Sequence, residues 1–242
     1  MSVRHRKILS IRALTAFSLL SLASLALPAQ QLDPQAVIRQ IDASVQSRID
    51  GIASYSVNEH YAVYRNGDET HPVAEMMVRT DYKNGSGKSY TTLSQSGSSL
   101  VRSQVLGRIL ENEKLMSLPD NRRQAVVTSA NYEMKLKSDQ KLMIDGRECL
   151  VLSITPRRPS PFLFTGTLWV DARDYSIVQL QGMAAKSHSM MTGPAQVARQ
   201  YANVDGFPMA THARALSNSF LLGQTIVKID YQGYQIQTPP AK

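Results

Sequence analysis

The sequence predicts a mainly β protein of about ten or eleven antiparallel strands with two or three α-helices. Three observations predict it. Alternating apolar and polar runs recur from Tyr55 to Gln237, and a period of two marks a strand with one face more buried than the other. Turn signals separate these runs at hairpin distances: Asn66-Gly67-Asp68, Asn84-Gly85-Ser86-Gly87, Asp145-Gly146 and Asp205-Gly206. Clear helical spacing of apolar residues occurs in two stretches, before and after the first three strands. A sheet of that size must curl, split or close, which leaves a curved, partly open barrel or a two-sheet sandwich.

The chain has 242 residues, 43% of them hydrophobic, which suits a single domain with a sizeable core. Arg4, Arg6, Lys7 and Arg12 precede or begin an apolar run from Ile11 to Leu27, and no acidic residue comes before Asp33. This is the pattern of a secretory signal, with cleavage expected near Ala29 or at Ala26. The expected domains are a signal peptide over 1–29, one β domain over 30–237 and a disordered tail over 238–242. Removing the four basic residues of the signal from a formal charge of +8 leaves +4, too little to indicate a nucleic-acid partner. The single cysteine, Cys149, excludes an intramolecular disulfide and sits in an apolar strand as a small buried hydrophobe. With no cysteine near the cleavage region, the exported protein is expected to be periplasmic and not lipidated.

Asp33-Pro34 opens the first helix, an N-cap acceptor followed by proline at the first helical position. Ile38, Ile41, Val45, Ile49 and Ile52 form one apolar stripe, and Gly51 is placed to end it. Three strands follow as a meander: Tyr55, Val57, Tyr61 and Val63 share a parity interrupted by Glu59. Ala74 to Tyr82 alternate cleanly, and Ser89 to Gln95 is more polar. Leu100 to Leu118 reads as a helix ended by Pro119, with Val101, Val105 and Ile109 four apart and Leu106 and Leu110 beside them. Gly107 weakens its middle, and 121–131 has weak helical character. Strands resume at Tyr132. Pro156 to Pro161 must be an edge or a connection. Phe162 to Gly182 is a hairpin whose corner, Asp171-Ala172-Arg173-Asp174, suits carboxylates that bond turn amides. Residues 187–193 suggest a loop, and Ala195 to Val204, Pro208 to Leu216 and Gln224 to Gln237 complete the strands.

Tests for chemistry fail. Gly87-Lys88-Ser89 ends like a phosphate loop, but the first glycine of that pattern falls on Tyr82 and the segment joins two strands. No Gly-x-Ser-x-Gly elbow occurs, and His60, His71, His188 and His212 are dispersed. Asp171 and Asp174 are explained by the turn. No catalytic residue, metal or cofactor is expected.

The hairpin Gly166-Thr167-Leu168-Trp169-Val170-Asp171 with Ile177-Val178, then Tyr201 to Pro208, then Gly223 to Tyr231 and Tyr234, resembles the LolA/LolB-type outer-membrane lipoprotein-sorting superfamily. The resemblance covers most of the mature chain as a diffuse pattern. It implies an incomplete, half-open antiparallel β-barrel with helices as plug and lid, and a soluble carrier of acyl chains or lipoproteins that does no covalent chemistry. It also implies partners: lipid or lipoprotein acyl chains, an inner-membrane donor and an outer-membrane acceptor. Expected cavity residues are Val105, Leu106, Ile109 and Leu110 on the second helix and Leu93 on the sheet. The alternative is a sensor module of the same fold that binds a protein partner, as in the RseB regulator. An unrecognised hydrolase is the third reading.

Overall fold

The computed structural model describes residues 32–186, 194–219 and 223–240. Helix α1 (Pro34–Gly51) starts as its sequence demands: the Asp33 carboxylate accepts the Gln35 amide at 2.9 Å, and Pro34 occupies the first turn. Strands β1 (Ser54–Arg65), β2 (Ala74–Lys83) and β3 (Gly87–Gly97) form the meander. A helical run follows in three parts: α2 (Ser99–Val101), a π-helical segment (Arg102–Gly107) and α3 (Arg108–Ser117). Ser98 caps it by accepting the Val101 amide. Pro119 does stand at its end, and it also opens a further short helix, α4 (Pro119–Ala125). Seven more strands follow among the described residues: β4 (Tyr132–Ile144), β5 (Arg147–Pro156), β6 (Phe164–Asp171), β7 (Ile177–Ala184), β8 (Gln196–Val204), β9 (Phe207–Ser219) and β10 (Gly223–Gln237).

All ten strands join one antiparallel sheet in the order β3-β2-β1-β10-β9-β8-β7-β6-β5-β4. The sheet is open, with β3 and β4 as its edges, so the sandwich alternative is excluded and an incomplete barrel with helical cover describes it. The turns follow the sequence signals. Asn66-Gly67, Asp145-Gly146 and Asp205-Gly206 all have positive φ at both residues, the geometry of tight hairpin turns that match strand twist. At the β6–β7 corner the Asp171 and Asp174 carboxylates accept the Arg173 and Ser176 amides at 2.8 and 2.9 Å. The proline-rich segment connects β5 to β6, as it must. Gly51 is the last residue of α1, and the sequence does not display why glycine fits there: a Cβ would lie 2.6 Å from the Phe207 ring. The predicted signal peptide and the loop at 187–193 lie outside the described residues.

Residues paired across antiparallel strands point to the same face. One such row crosses the whole sheet: Gln95, Met76, Tyr61, Ile229, Ala213, Arg199, Leu180, Leu168, Leu152 and Leu136. Helices cover this face in two places. Over β4–β7, α1 buries Val37, Ile38 and Ile41 against Leu150, Leu152, Leu168 and Val170. Over β1, β2 and β10, the second helical run sets Val101 and Leu106 against Val57, Val63, Val78 and Val227. Cys149 is fully buried, and burial pushes its thiol pKa up, as suits an inert core residue.

Candidate functional site

Four charged side chains converge on the helix-bearing face beneath α3. Strand β1 supplies Glu59, set opposite Val78 and Tyr231 in an otherwise apolar parity. The start of β3 supplies Lys88, opposite Tyr82 on the same face. Arg199 comes from β8, in the row between Ala213 and Leu180. Glu113 comes from α3 above the sheet.

The Lys88 ammonium donates to Glu113 Oε2 at 2.6 Å and lies 3.8 Å from Glu59 Oε1. Arg199 Nη2 lies 3.7 Å from Glu113 Oε1, and the Tyr90 hydroxyl is 3.4 Å from Glu113 Oε2. The Tyr61 hydroxyl donates to Glu59 Oε2. Side-chain exposure is 1% at Glu59, 16% at Lys88 and 18% at Glu113, so these three charges are largely withdrawn from water, while Arg199 is 36% exposed. Two buried polar atoms of the cluster, Glu59 Oε1 and Arg199 Nε, have no hydrogen-bond partner. Burying charge is costly unless partners replace the water, and here the replacement is incomplete.

Ionisation follows from the packing. Burial pushes the Glu113 carboxyl pKa up, but Lys88 and Arg199 outweigh it and hold the group below the usual carboxylate value. Burial pulls the Lys88 ammonium down, and Glu113 with Glu59 more than restores it. Burial first, then Glu113 and Glu59, raises the Tyr61 hydroxyl, which stays a neutral donor. On the sheet stand two cations and one carboxylate. The second carboxylate, which makes the cluster neutral, is carried by the helix.

Aromatic and apolar side chains surround the cluster. Tyr55 stacks on Tyr82 at 4.9 Å between ring centres and meets Tyr234 edge-on at 5.8 Å. Arg122 of α4 donates to the Tyr82 hydroxyl. The structure brings together Val105, Leu106, Ile109 and Leu110 on the apolar cluster of β1, β2 and β10, with Leu106 fully buried and the other three partly so. Leu93 stands apart. It is the extra residue of a bulge in edge strand β3 and is 53% exposed. An open groove of about 240 Å³ lies between Ser54, Ser56, Arg79, Asp81, Gln235 and Gln237, with Tyr55 and Tyr82. Those polar residues have the opposite strand parity to the charged cluster. No group of three metal-ligating side chains occurs among the described residues, and none of their helices is long and apolar enough to cross a membrane.

Sequence reasoning missed the cluster, although one signal was present: a carboxylate, Glu59, in the buried parity of a strand. Lys88 drew attention only as the end of a failed phosphate loop. Glu113 and Arg199 carry no local mark.

No family model matches the sequence, and no curated protein is significantly similar to it. Solved structures are similar in architecture. A LolA superfamily protein from Nitrosomonas europaea is 13% identical with a TM-score of 0.44, covering 86% of this chain and 96% of its own. A DUF1329 family protein from Desulfovibrio piger is 13% identical with a TM-score of 0.45, covering 85% and 94%. A domain described as an outer-membrane lipoprotein-sorting protein, from Vibrio parahaemolyticus, is 11% identical with a TM-score of 0.45, covering 84% and 93%. These likenesses transfer no site to this chain.

Proposed function

We propose that the protein is a periplasmic carrier that holds acyl chains, free or on a lipoprotein, against the helix-bearing face of its sheet, with the run from Ser99 to Ser117 as a lid. One observation carries this reading: the lid is only lightly seated on an apolar face. Helix α3 has no buried residue, and α2 and the π-helical segment bury only Val101 and Leu106. Beneath lie Val57, Val63, Val78 and Val227, all buried. A π-helical turn interrupts the lid's regular hydrogen bonding, a feature frequent at functional sites.

Lifting the lid would bare apolar sheet that an acyl chain can cover in its place. Each buried CH₂ contributes about 0.8 kcal/mol, so a chain of ordinary length drives the exchange without a cofactor or covalent step. The ligand would contact Val105, Leu106, Ile109 and Leu110 on the lid, with Leu93 at the sheet edge as the outermost contact. Donor and acceptor proteins at the two membranes would load and unload it.

Native mass spectrometry of protein purified from the periplasm, followed by organic extraction, tests the proposal. The expected result is a discrete added mass that extracts as lipid. A clean apo mass, with no uptake of a fluorescent fatty acid, would sink it. Val105→Asp with Ile109→Asp should abolish uptake while the β-sheet circular dichroism persists. Loss of the whole fold would show instead that this face of the helix is core.

A further inference from the structure

We infer that the ligand is an amphiphile with one anionic head group, a carboxylate or phosphate, and that Glu113 of α3 occupies the head group's place between Lys88 and Arg199 in the closed protein. The inference rests on the carrier reading and names the class of its ligand. Of the four groups, the sheet supplies Lys88 and Arg199, 16% and 36% exposed, with Glu59, so without α3 this set carries one uncompensated positive charge. Glu113 supplies the missing carboxylate, within 2.6 Å of Lys88 Nζ and 3.7 Å of Arg199 Nη2.

That fit is incomplete in an instructive way. Lys88 is well bonded, but Arg199, which also shares a side-chain hydrogen bond with Tyr201, reaches Glu113 only at long range, and its buried Nε has no partner. Of the two Glu59 oxygens, one accepts from Tyr61 and the other lies 3.8 Å from Lys88 Nζ without a hydrogen bond. A carboxylate or phosphate head group is not held at a fixed point by a helix, so it can settle within hydrogen-bond distance of both cations, whereas Glu113 reaches that distance only with Lys88. Tyr90, now beside Glu113, adds a donor to the same spot. The apolar cluster of β1, β2 and β10 is lined by the same lid, so head and chain have adjoining sites. When the anion enters, Glu113 is displaced and the lid loses its ionic tie. Ligand charge and lid opening are thereby linked through one position.

The test compares a pyrene-labelled dodecanoic acid with its methyl ester, which has the same chain and no charge, in titrations of the full mature chain. The wild type should bind the acid about tenfold more tightly than the ester, the worth of one charged hydrogen bond. Glu113→Gln removes the internal competitor and should widen that ratio. Lys88→Gln should bring it close to one, and Arg199→Gln offers the same reading if the lysine variant does not fold. Dodecyl phosphate should compete with the acid, whereas inorganic phosphate at millimolar concentration should not. Equal binding of acid and ester in both the wild type and Glu113→Gln overturns the head-group assignment and leaves the carrier standing. Binding of neither overturns both. Effective competition by inorganic phosphate alone shows a small-anion site and overturns the amphiphile.

Discussion

The same face of one sheet is covered by two helices held in opposite ways. Over β4–β7, α1 is fixed by apolar packing: Val37, Ile38 and Ile41 are buried in a continuous cluster. Its polar ties, Asp42 to the Ser129 amide and Arg48 to the Pro208 carbonyl, lie at its flanks. Over β1, β2 and β10, the lid buries Val101 and Leu106, packs Val105, Ile109 and Leu110 only partly, and is tied by Glu113 to Lys88 and by Ser117, whose hydroxyl accepts the Lys88 amide at 2.7 Å. Apolar packing gives a contact that only unfolding breaks. A buried ion pair gives one that a competing ion or a proton breaks, because its strength depends on the charge of each partner. The first arrangement suits a permanent plug and the second a cover that moves.

The sharpest break in this comparison comes from trimming each helix. Ile41→Ala should cost about 2–5 kcal/mol, the usual range for emptying a fully buried aliphatic site, read as a fall in the urea midpoint. Ile109→Ala, from a partly buried position on the lid, should cost about 1 kcal/mol or less. Similar losses at the two sites would mean that the lid is core.

Acid should separate the two helices next. The folded Glu113 carboxyl lies below its ordinary value of 4.5, so its contribution is present above that value and is lost as pH falls through the folded one. Hydrogen exchange over 99–117 should therefore accelerate below about pH 4.5, before that of α1, whose seating rests on the uncharged Val37, Ile38 and Ile41 although Asp42 ties its flank to Ser129. Lys88 is shifted upward, so its contribution is complete below the ordinary 10.5 and is lost only as pH rises through a still higher value. No loosening of the lid is expected from this pair between those limits. Simultaneous acid loosening of both helices would remove the distinction.

The smallest effect should come from Gly107, the last residue of the π-helical segment. An added Cβ meets only the Arg102 carbonyl oxygen, at an ordinary 3.6 Å, and the backbone is not left-handed. Gly107→Ala should stiffen the lid by about 1 kcal/mol, slowing exchange over 99–117 and the uptake of a fluorescent fatty acid together. Slower exchange with unchanged uptake would separate lid opening from binding.

What the sequence by itself determined is local. Asp33-Pro34 set the start of α1, and the Asn-Gly and Asp-Gly pairs set tight hairpins through their tolerance of positive φ. Period-two alternation set which side chains of each strand share a face. Those signals act within a few residues, and they survive into the fold almost unchanged. Only the tertiary structure decided that the first and last strands pair, so that Tyr61 meets Ile229, and that the bulge in β3 leaves Leu93 outside the apolar cluster. It also decided the charged cluster. Lys88 and Glu113 are 25 residues apart, and Arg199 arrives from the far side of β9 and β10. The physical reason is that an ion pair needs only proximity, which strand pairing and helix seating supply and which leaves no periodic trace in the chain. Glu59 is the exception: an acid in a buried parity is locally anomalous, and the sheet resolves the anomaly by placing Tyr61 and Lys88 against it.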